Sequence, residues 1–265
     1  MFLQPTNLVF TETARQVRLK DRLKILDIWV DPVDRAQAIE RVRGFLQGDR
    51  PYSIFAVNPE KNHSVPKDPQ LYDVFKAADL LIPDGIGIVL AARLLHGAAL
   101  HRVPGVEFMQ DICRFAAVED KAIFLYGSRE AVNQAAAEKL RIRFPGIRIA
   151  GRSDGYVPES QMPDLVNRIN DSGADILFLA LGSPRQEKWF ALHASKLSSV
   201  KVCQGIGGTL DAIAGNVNRA PEIWQRFSAE WLYRLLSEPK RINRQKVLPI
   251  FAFRVLMAMV YNGGR

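Results

Sequence analysis

Seven short apolar runs, with stretches of helical spacing between them, decide most of what this chain can become. The runs lie at Ile25–Val30, Tyr52–Val57, Leu80–Ile82, Ala122–Tyr126, Ile147–Ala150, Ile176–Leu181 and Val200–Cys203. Helical patterns sit between them near Arg35–Gln47, Pro69–Ala78, Ile86–His96, Val106–Ala117, Ala131–Phe144, Met162–Asn170 and Arg185–Lys196. Strands separated by helix-length segments pair in parallel, because each helix carries the chain back across the sheet before the next strand begins. The expected fold class is therefore α/β, a mostly parallel sheet with helices on both faces.

An open sheet of this kind binds ligands beyond the carboxyl ends of its strands. The polar and glycine-rich punctuation of the chain gathers at those ends. Asn58 follows one run and Asp84 the next; Gly127 and Ser128 follow another. Gly182-Ser183-Pro184-Arg185-Gln186 and Gly205-Ile206-Gly207-Gly208-Thr209 follow two more. In Pro83-Asp84-Gly85-Ile86-Gly87 an acid stands where glycines open a helix. Glycine lets a ligand approach the backbone, and a helix N-terminus offers N–H groups to phosphate. Spacing alone leaves two roles open for Asp84, a cap or turn residue and a catalytic base. Gln186 is either part of a solvated helix start or an amide projecting near the crevice to hold sugar hydroxyls. The 205–211 loop either packs chain against chain or cradles a diphosphate.

The last part of the chain differs. From Glu222 to Arg265 there are eight Lys/Arg against three Glu, so this fifth of the chain carries most of the net +8. An amphipathic stretch over Glu222–Ser237 ends at Pro239, a basic segment follows over Lys240–Lys246, and Leu248–Val260 is apolar apart from Arg254. Thirteen apolar residues are too few to span a bilayer but enough to lie in its interface. The expected organisation is an N-terminal extension (1–20), a Rossmann-like domain (21–220) and a helical, basic C-terminal appendage (221–265).

Other chemistries find little footing. The two cysteines, Cys113 and Cys203, are far apart and read as buried filler of a reducing compartment. The four histidines show no ligand spacing, no D-x-D pair is present, and Leu90 stands where a dinucleotide fingerprint needs its third glycine. No metal and no cofactor is expected. The start of the chain has no basic segment followed by a long apolar run, so it does not read as a signal peptide.

Taken in order, these segments resemble the WecG/TagA/CpsF family of glycosyltransferases from about Ile25 to Arg244. The resemblance is carried by VNPEK (57–61), ADLLIPDGIGIV (78–89), RVPGVEFM (102–109), GY (155–156), LALGSPRQEKW (179–189), GIGGTLDAIAGNVNRAP (205–221) and EWLYRLLSEPKRINR (230–244). It implies an inverting, metal-independent transferase that moves a sugar from a UDP-sugar donor to a polyprenyl-diphosphate-linked sugar at the inner face of the cytoplasmic membrane. By that resemblance Asp84 is the general base and Asn58 a sugar or nucleotide contact. Arg102 steadies the leaving diphosphate, and Gln186 and Tyr156 line the site. Gly85, Gly87, Gly207, Gly208 and Asp211 belong to the substrate-binding loops, and Arg234, Arg241 and Arg244 close over the site from the appendage. One departure is Ala56, where some members carry Thr two residues before the asparagine; the donor sugar, glucose, N-acetylmannosamine or its uronic acid, stays open. The implied partners are the two substrates and a membrane surface, with self-association through exposed apolar parts of the tail and no nucleic acid. The competing reading is a non-catalytic adaptor built on a Rossmann-like body, whose basic, aromatic tail binds a membrane or a nucleic acid.

Overall fold

The computed structural model describes residues 21–216 and 246–263. It opens with a hairpin. Strand β1 (Leu23–Ile25) pairs antiparallel with β2 (Ile28–Val30), Leu23 opposite Val30 and Ile25 opposite Ile28. The single strand expected over Ile25–Val30 is thus corrected to the two arms of a turn, apart from the main sheet. The chain reverses at Leu26, which holds φ at 52°. The apolar run survives the turn because Ile25, Ile28 and Val30 all enter the same core.

Helix α1 (Arg35–Leu46) begins at Asp34, which forms a reciprocal capping box with Gln37. The chain continues through β3 (Tyr52–Val57), α2 (Pro59–Ser64), α3 (Pro69–Ala77), β4 (Leu80–Pro83), α4 (Ile86–His96) and α5 (Gly105–Val118). Then come β5 (Ala122–Gly127), α6 (Glu130–Arg143), β6 (Arg148–Ser153), α7 (Met162–Asp171), β7 (Ile176–Ala180), α8 (Arg185–His193), β8 (Val202–Gly205) and α9 (Thr209–Ala214). A final helix, α10, spans Val247–Gly263.

Six strands form one sheet in the order β4-β3-β8-β7-β5-β6, and every pairing is parallel. Alternation along the strands divides the core in two. Phe55, Val57, Leu81, Phe124, Leu177, Leu179 and Cys203 face one layer, with Phe75, Trp189 and Phe190 from α3 and α8. Ile54, Leu80, Ile82, Ile123, Leu125, Ile176, Phe178 and Val202 face the other, against α1, α5, α6 and α9. The α/β class with helices on both faces is what the structure has. Strand β6 begins at Arg148, not Ile147, and runs three residues further than expected. It is an edge strand, only partly buried, and carries a weak apolar signal. Helix α8 stops at His193, and a short 3-10 turn covers Ala194–Lys196.

The edge at β4 is closed by Asp31. Its N–H donates to Leu81 O (2.9 Å) and its carboxylate accepts from Leu81 N–H (2.7 Å), so it supplies the pairing a seventh strand would give. The same carboxylate takes both of its contacts with Arg22 Nε at 3.1 Å, and Arg22 Nη2 donates to Ala78 O at 2.7 Å. Arg22 and Asp31 are both buried.

Helix α10 lies along α4 and α2. Phe251 and Val255 enter the core layer beneath it, and Arg254 Nη2 donates to Asp27 Oδ2 at 2.6 Å. The Leu248–Val260 segment, expected to be the apolar part of the C-terminal appendage, docks on the body by one stripe. Its other face stays exposed. Among the described residues no helix is long and apolar enough to cross a membrane.

Removing one partner of a buried ion pair strands the other, at a cost of about 3–5 kcal/mol. Asp31→Ala, which also unpairs the Leu81 N–H, is therefore expected to lower the unfolding free energy obtained from urea titration by an amount in that range, with a lower midpoint. A midpoint within error of the unmodified protein would show that the hairpin is not pinned this way.

Candidate active site at the strand ends

Because the six strands are parallel, all the loops that follow them open at one edge. Asn58, Asp84, Ser128, Asp154-Gly155-Tyr156, Gly182–Gln186 and Ile206–Gly208 therefore share one rim of the sheet.

Asp84 is half-buried beyond β4, and its N–H donates to Val57 O at 2.9 Å, continuing the β3–β4 pairing by one residue. It does not cap α4. The cap is Gly85, at φ 102°, and no side chain bonds to that helix start. The carboxylate is aimed instead across the gap toward α5. A Cβ placed on Gly105 would lie 3.7 Å from Asp84 Oδ2 and 3.8 Å from Ala56 Cβ. Those are ordinary contact distances, so the start of α5 lies close to the acid without crowding it. The segment leading into α5 is laid along the end of β4 by a bond from Val103 N–H to Pro83 O at 2.8 Å. That bond brings the half-buried Arg102 to the same rim.

Two helices start beside Asp84 without a side-chain cap, α4 at Gly85 and α5 at Pro104. Uncapped N-termini leave N–H groups pointing outward at the positive end of the helix dipole, the arrangement that holds phosphate. Asn58 performs two tasks. Its Oδ1 accepts from Lys61 N–H (2.9 Å) and so caps α2, with Pro59 at the first helical position. Among the described residues its side-chain amide N–H groups have no acceptor. Asn58 and Gly85 are adjacent, since a Cβ on Gly85 would lie 3.8 Å from Asn58 Cβ. Gly87 stands farther along α4, where a Cβ would come 2.9 Å from Pro59 Cγ. Glycine there lets α4 and α2 close up.

The opposite bank is tied together from beneath. Gln186 is buried rather than standing in the open crevice. Its Oε1 accepts from Gly207 N–H at 2.9 Å and its Nε2 donates to Glu187 Oε1 at 3.2 Å. Glu187 is fully buried and forms an ion pair with Lys61, which also donates to Ser183 Oγ. Burial holds the Lys61 ammonium below the usual lysine range, with Glu187 opposing that shift. The pair is the element that residue spacing missed. Both members lie inside quoted motifs, VNPEK and SPRQEKW, as charges at the third position of a helix that follows a strand, and that position was the available signal.

Gly207 holds φ at 54° and nothing would meet a Cβ there or on Gly208, so this loop faces open space. Asp211, in the first turn of α9, accepts from Ser128 Oγ at 3.2 Å. Tyr156 is exposed at the rim, its N–H bonded to Asp154 Oδ1 at 2.7 Å. Arg234, Arg241 and Arg244 lie outside the described residues.

The other candidate reactive groups are placed elsewhere. Cys113 and Cys203 are free, buried thiols, and burial pushes both pKa values up. His193 packs against Trp189 at the far end of α8, with burial favouring its neutral form. Among the described residues no three His, Cys, Asp or Glu side chains come together as a metal site would need.

The family model described as "Glycosyl transferase WecG/TagA/CpsF family" matches residues 23–263. This chain belongs to that family. Its relatives include proteins named N-acetylglucosaminyldiphosphoundecaprenol N-acetyl-beta-D-mannosaminyltransferase. That of Staphylococcus aureus (strain MRSA252) is 32% identical over 239 residues, 89% of this chain and 93% of the relative. That of Bacillus subtilis (strain 168) is 36% identical over 203 residues, 77% and 78% of the two chains. That of Bacillus spizizenii is 35% identical over 213 residues, 80% and 81%. The WecG/TagA/CpsF resemblance carried by the motifs is thereby established over most of the chain, and with it glycosyl transfer as the class of activity.

In this member of the WecG/TagA/CpsF family the Gln186–Gly207 bond holds the tip of a loop whose base is tied by Ile206 N–H to Leu179 O at 2.9 Å and by Thr209 to Ile206 O. Gln186→Leu removes the acceptor and leaves the Gly207 N–H unpaired, at about 1–3 kcal/mol. Amide hydrogen exchange at Gly207 is expected to accelerate by about tenfold or more in this variant. Unchanged exchange would show that the loop is held by other means.

Proposed function

We propose that this chain is an inverting, metal-independent glycosyltransferase. In this reading it takes a sugar from a UDP-sugar and places it on a polyprenyl-diphosphate-linked sugar, as a peripheral protein at the inner face of the cytoplasmic membrane. The names of the relatives favour N-acetylmannosamine as the sugar moved and diphosphate-linked N-acetylglucosamine as the acceptor. The observation that carries the reading is the half-buried carboxylate of Asp84, which caps no helix and stands at the strand-end rim beside two helix N-termini that have no side-chain cap.

The chemistry follows from that placement. An acceptor hydroxyl attacks the anomeric carbon of the donor, and Asp84 takes its proton as the new glycosidic bond forms. The bond from the anomeric carbon to the diphosphate breaks, and UDP leaves on the opposite side. One displacement with one base inverts the anomeric centre. Charge that develops on the departing diphosphate meets the N–H groups that open α4 and α5 and the guanidinium of Arg102, with Arg234, Arg241 and Arg244 as further candidates. Donors fixed in advance stabilise that charge with little reorganisation, a task that a divalent cation performs in other transferases. Asn58 and Tyr156 supply polar contacts at the rim, and Gln186 acts by holding the Gly207-Gly208 loop.

Attachment to the membrane is assigned to α10. Its outer face carries Ile250, Phe253, Leu256, Met257, Val260 and Tyr261, all exposed. Arg254 is the one charged side chain between Val247 and Gly263. A face of that composition belongs in a bilayer interface rather than in water.

Asp84→Asn is expected to cut turnover by about 10²–10⁴-fold while the KM for UDP-N-acetylmannosamine changes little, measured with a short-chain diphosphate-linked N-acetylglucosamine acceptor. Full activity in that variant removes Asp84 as the base. Turnover is also expected to be unchanged by EDTA. Loss of activity on chelation, restored by a divalent cation, would overturn the metal-independent reading.

A further inference from the structure

Away from the strand ends, a cavity of about 300 Å³ opens where α10 meets the hairpin and the end of α4, lined by Lys24, Leu26, Asp27, Leu95, His96, Arg254 and Ala258. That volume is at the small end of ligand pockets. Its charge is unbalanced, with two permanent cations, Lys24 and Arg254, against one carboxylate, Asp27. Arg254 uses Nη2 on Asp27; among the described residues its other guanidinium N–H groups have no acceptor. The Lys24 side chain makes no hydrogen bond or ion pair among the described residues, and its ammonium stands 5.5 Å from the centre of the Trp29 ring. His96 is oriented by a 2.8 Å bond from Nε2 to Lys24 O.

The cavity also borders the uncharged face of α10. Residues three or four positions apart are neighbours on a helix, so Arg254 is flanked by Phe251 and Ala258 toward the body and by the exposed Ile250 and Met257 on the outside. Tyr261 lies one further turn along. Leu90 and Leu94, one turn apart on α4, are exposed beside the helix that α10 packs along. A ligand that fits must therefore bring an anionic oxygen group into the cavity while an apolar surface meets the helix. An anionic phospholipid has both parts; a free phosphate has only one.

We propose that this cavity is a headgroup site, in which Lys24 and Arg254 bind the phosphate of an anionic glycerophospholipid while α10 rests in the interface of the same leaflet. The inference rests on the membrane reading given above and adds a defined pair of cations to it. No covalent step is involved. The site orients the protein as well as attracting it, because the phosphate is gripped at one end of α4 and Asp84 stands at the other.

The test uses the full chain and flotation with two kinds of vesicle, phosphatidylcholine alone and phosphatidylcholine mixed with phosphatidylglycerol. Wild type is expected to float with both and more tightly with the second. Lys24→Gln breaks no ion pair and is the decisive variant. It is expected to lower affinity for the phosphatidylglycerol vesicles about fivefold and to leave binding to phosphatidylcholine alone unchanged. Arg254→Gln is expected to act in the same direction. Arg141→Gln, on α6 and the opposite face of the sheet, is expected to have no effect. If wild type binds and Lys24→Gln binds the anionic vesicles equally well, the headgroup site is wrong and the membrane reading stands. An equal loss from Arg141→Gln would also overturn it, since net charge and not the cavity would then govern binding. If wild type floats with neither vesicle, the membrane reading falls and this inference with it.

Discussion

Parallel pairing across all six strands is the constraint from which the site follows. A parallel strand needs a crossover before its neighbour, and each crossover here starts from the same edge. Twelve or more backbone groups that end strands or begin helices are gathered there without any one loop being long. The last strand to arrive, β8, enters between β3 and β7. Its insertion brings the Gly205–Gly208 loop between the residues that follow β3 and those that follow β7. Asn58, Asp84, Gln186 and Gly207 are spread over 150 positions of sequence, and they become neighbours along one rim only when the centre of the sheet is filled.

Filling that centre would leave the loops free to shift, and buried polar contacts restrict them. Lys61 and Glu187 connect the start of α2 to the start of α8, and Gln186 extends the connection to Gly207. A buried ion pair adds little net stability over a well-packed apolar pair, but a mispaired charge costs several kcal/mol. The energetic effect is therefore a penalty on wrong arrangements. Any slip of α2 against α8 leaves a desolvated ammonium or carboxylate without its partner. The Arg22–Asp31 pair acts likewise at the edge of the sheet, where it fixes the hairpin against β4 and so the strand that ends in Asp84.

The fold was legible where burial imposes a period. Strands β3, β5 and β7 are apolar on both faces and read as continuous runs, and α5 and α7 show their buried stripes plainly. The hairpin was not legible, because Ile25–Val30 contains no glycine or asparagine to mark the turn and Leu26 is an unusual residue for a positive φ. Helix α2 was missed for the reason that six residues hold no period, although Asn58-Pro59-Glu60 is an N-cap, a first-turn proline and a first-turn acid in order. At the site, Asp84 could be placed at a strand end from spacing, and only its geometry separates it from a helix cap. The role of Gln186 could not be read at all. Whether an amide in a turn faces solvent or the backbone of the next loop is decided by tertiary packing, here by β8 lying beside β7.

Helix α10 poses a conflict that packing alone does not resolve. A helix apolar on all sides is ordinarily buried on all sides, yet this one buries Phe251 and Val255 and exposes Phe253, Leu256, Met257 and Val260. Large apolar side chains in water, at roughly 1.5–3 kcal/mol each for full burial, favour a second apolar partner. The position of the helix bears on what that partner is. At one end of α4, a Cβ on Gly87 would lie 3.6 Å from the Phe251 ring, and Gly87 is two residues from the cap beside Asp84. Helix α10 thus packs against the body close to the rim that holds Asp84. For an acceptor whose reactive sugar is joined to its lipid only through a diphosphate, a protein that works at the membrane must bring its catalytic edge and its lipid-facing surface close together. Helix α4 links the two in a single element, with Asp84 and an uncapped N-terminus at its head and α10 along its side.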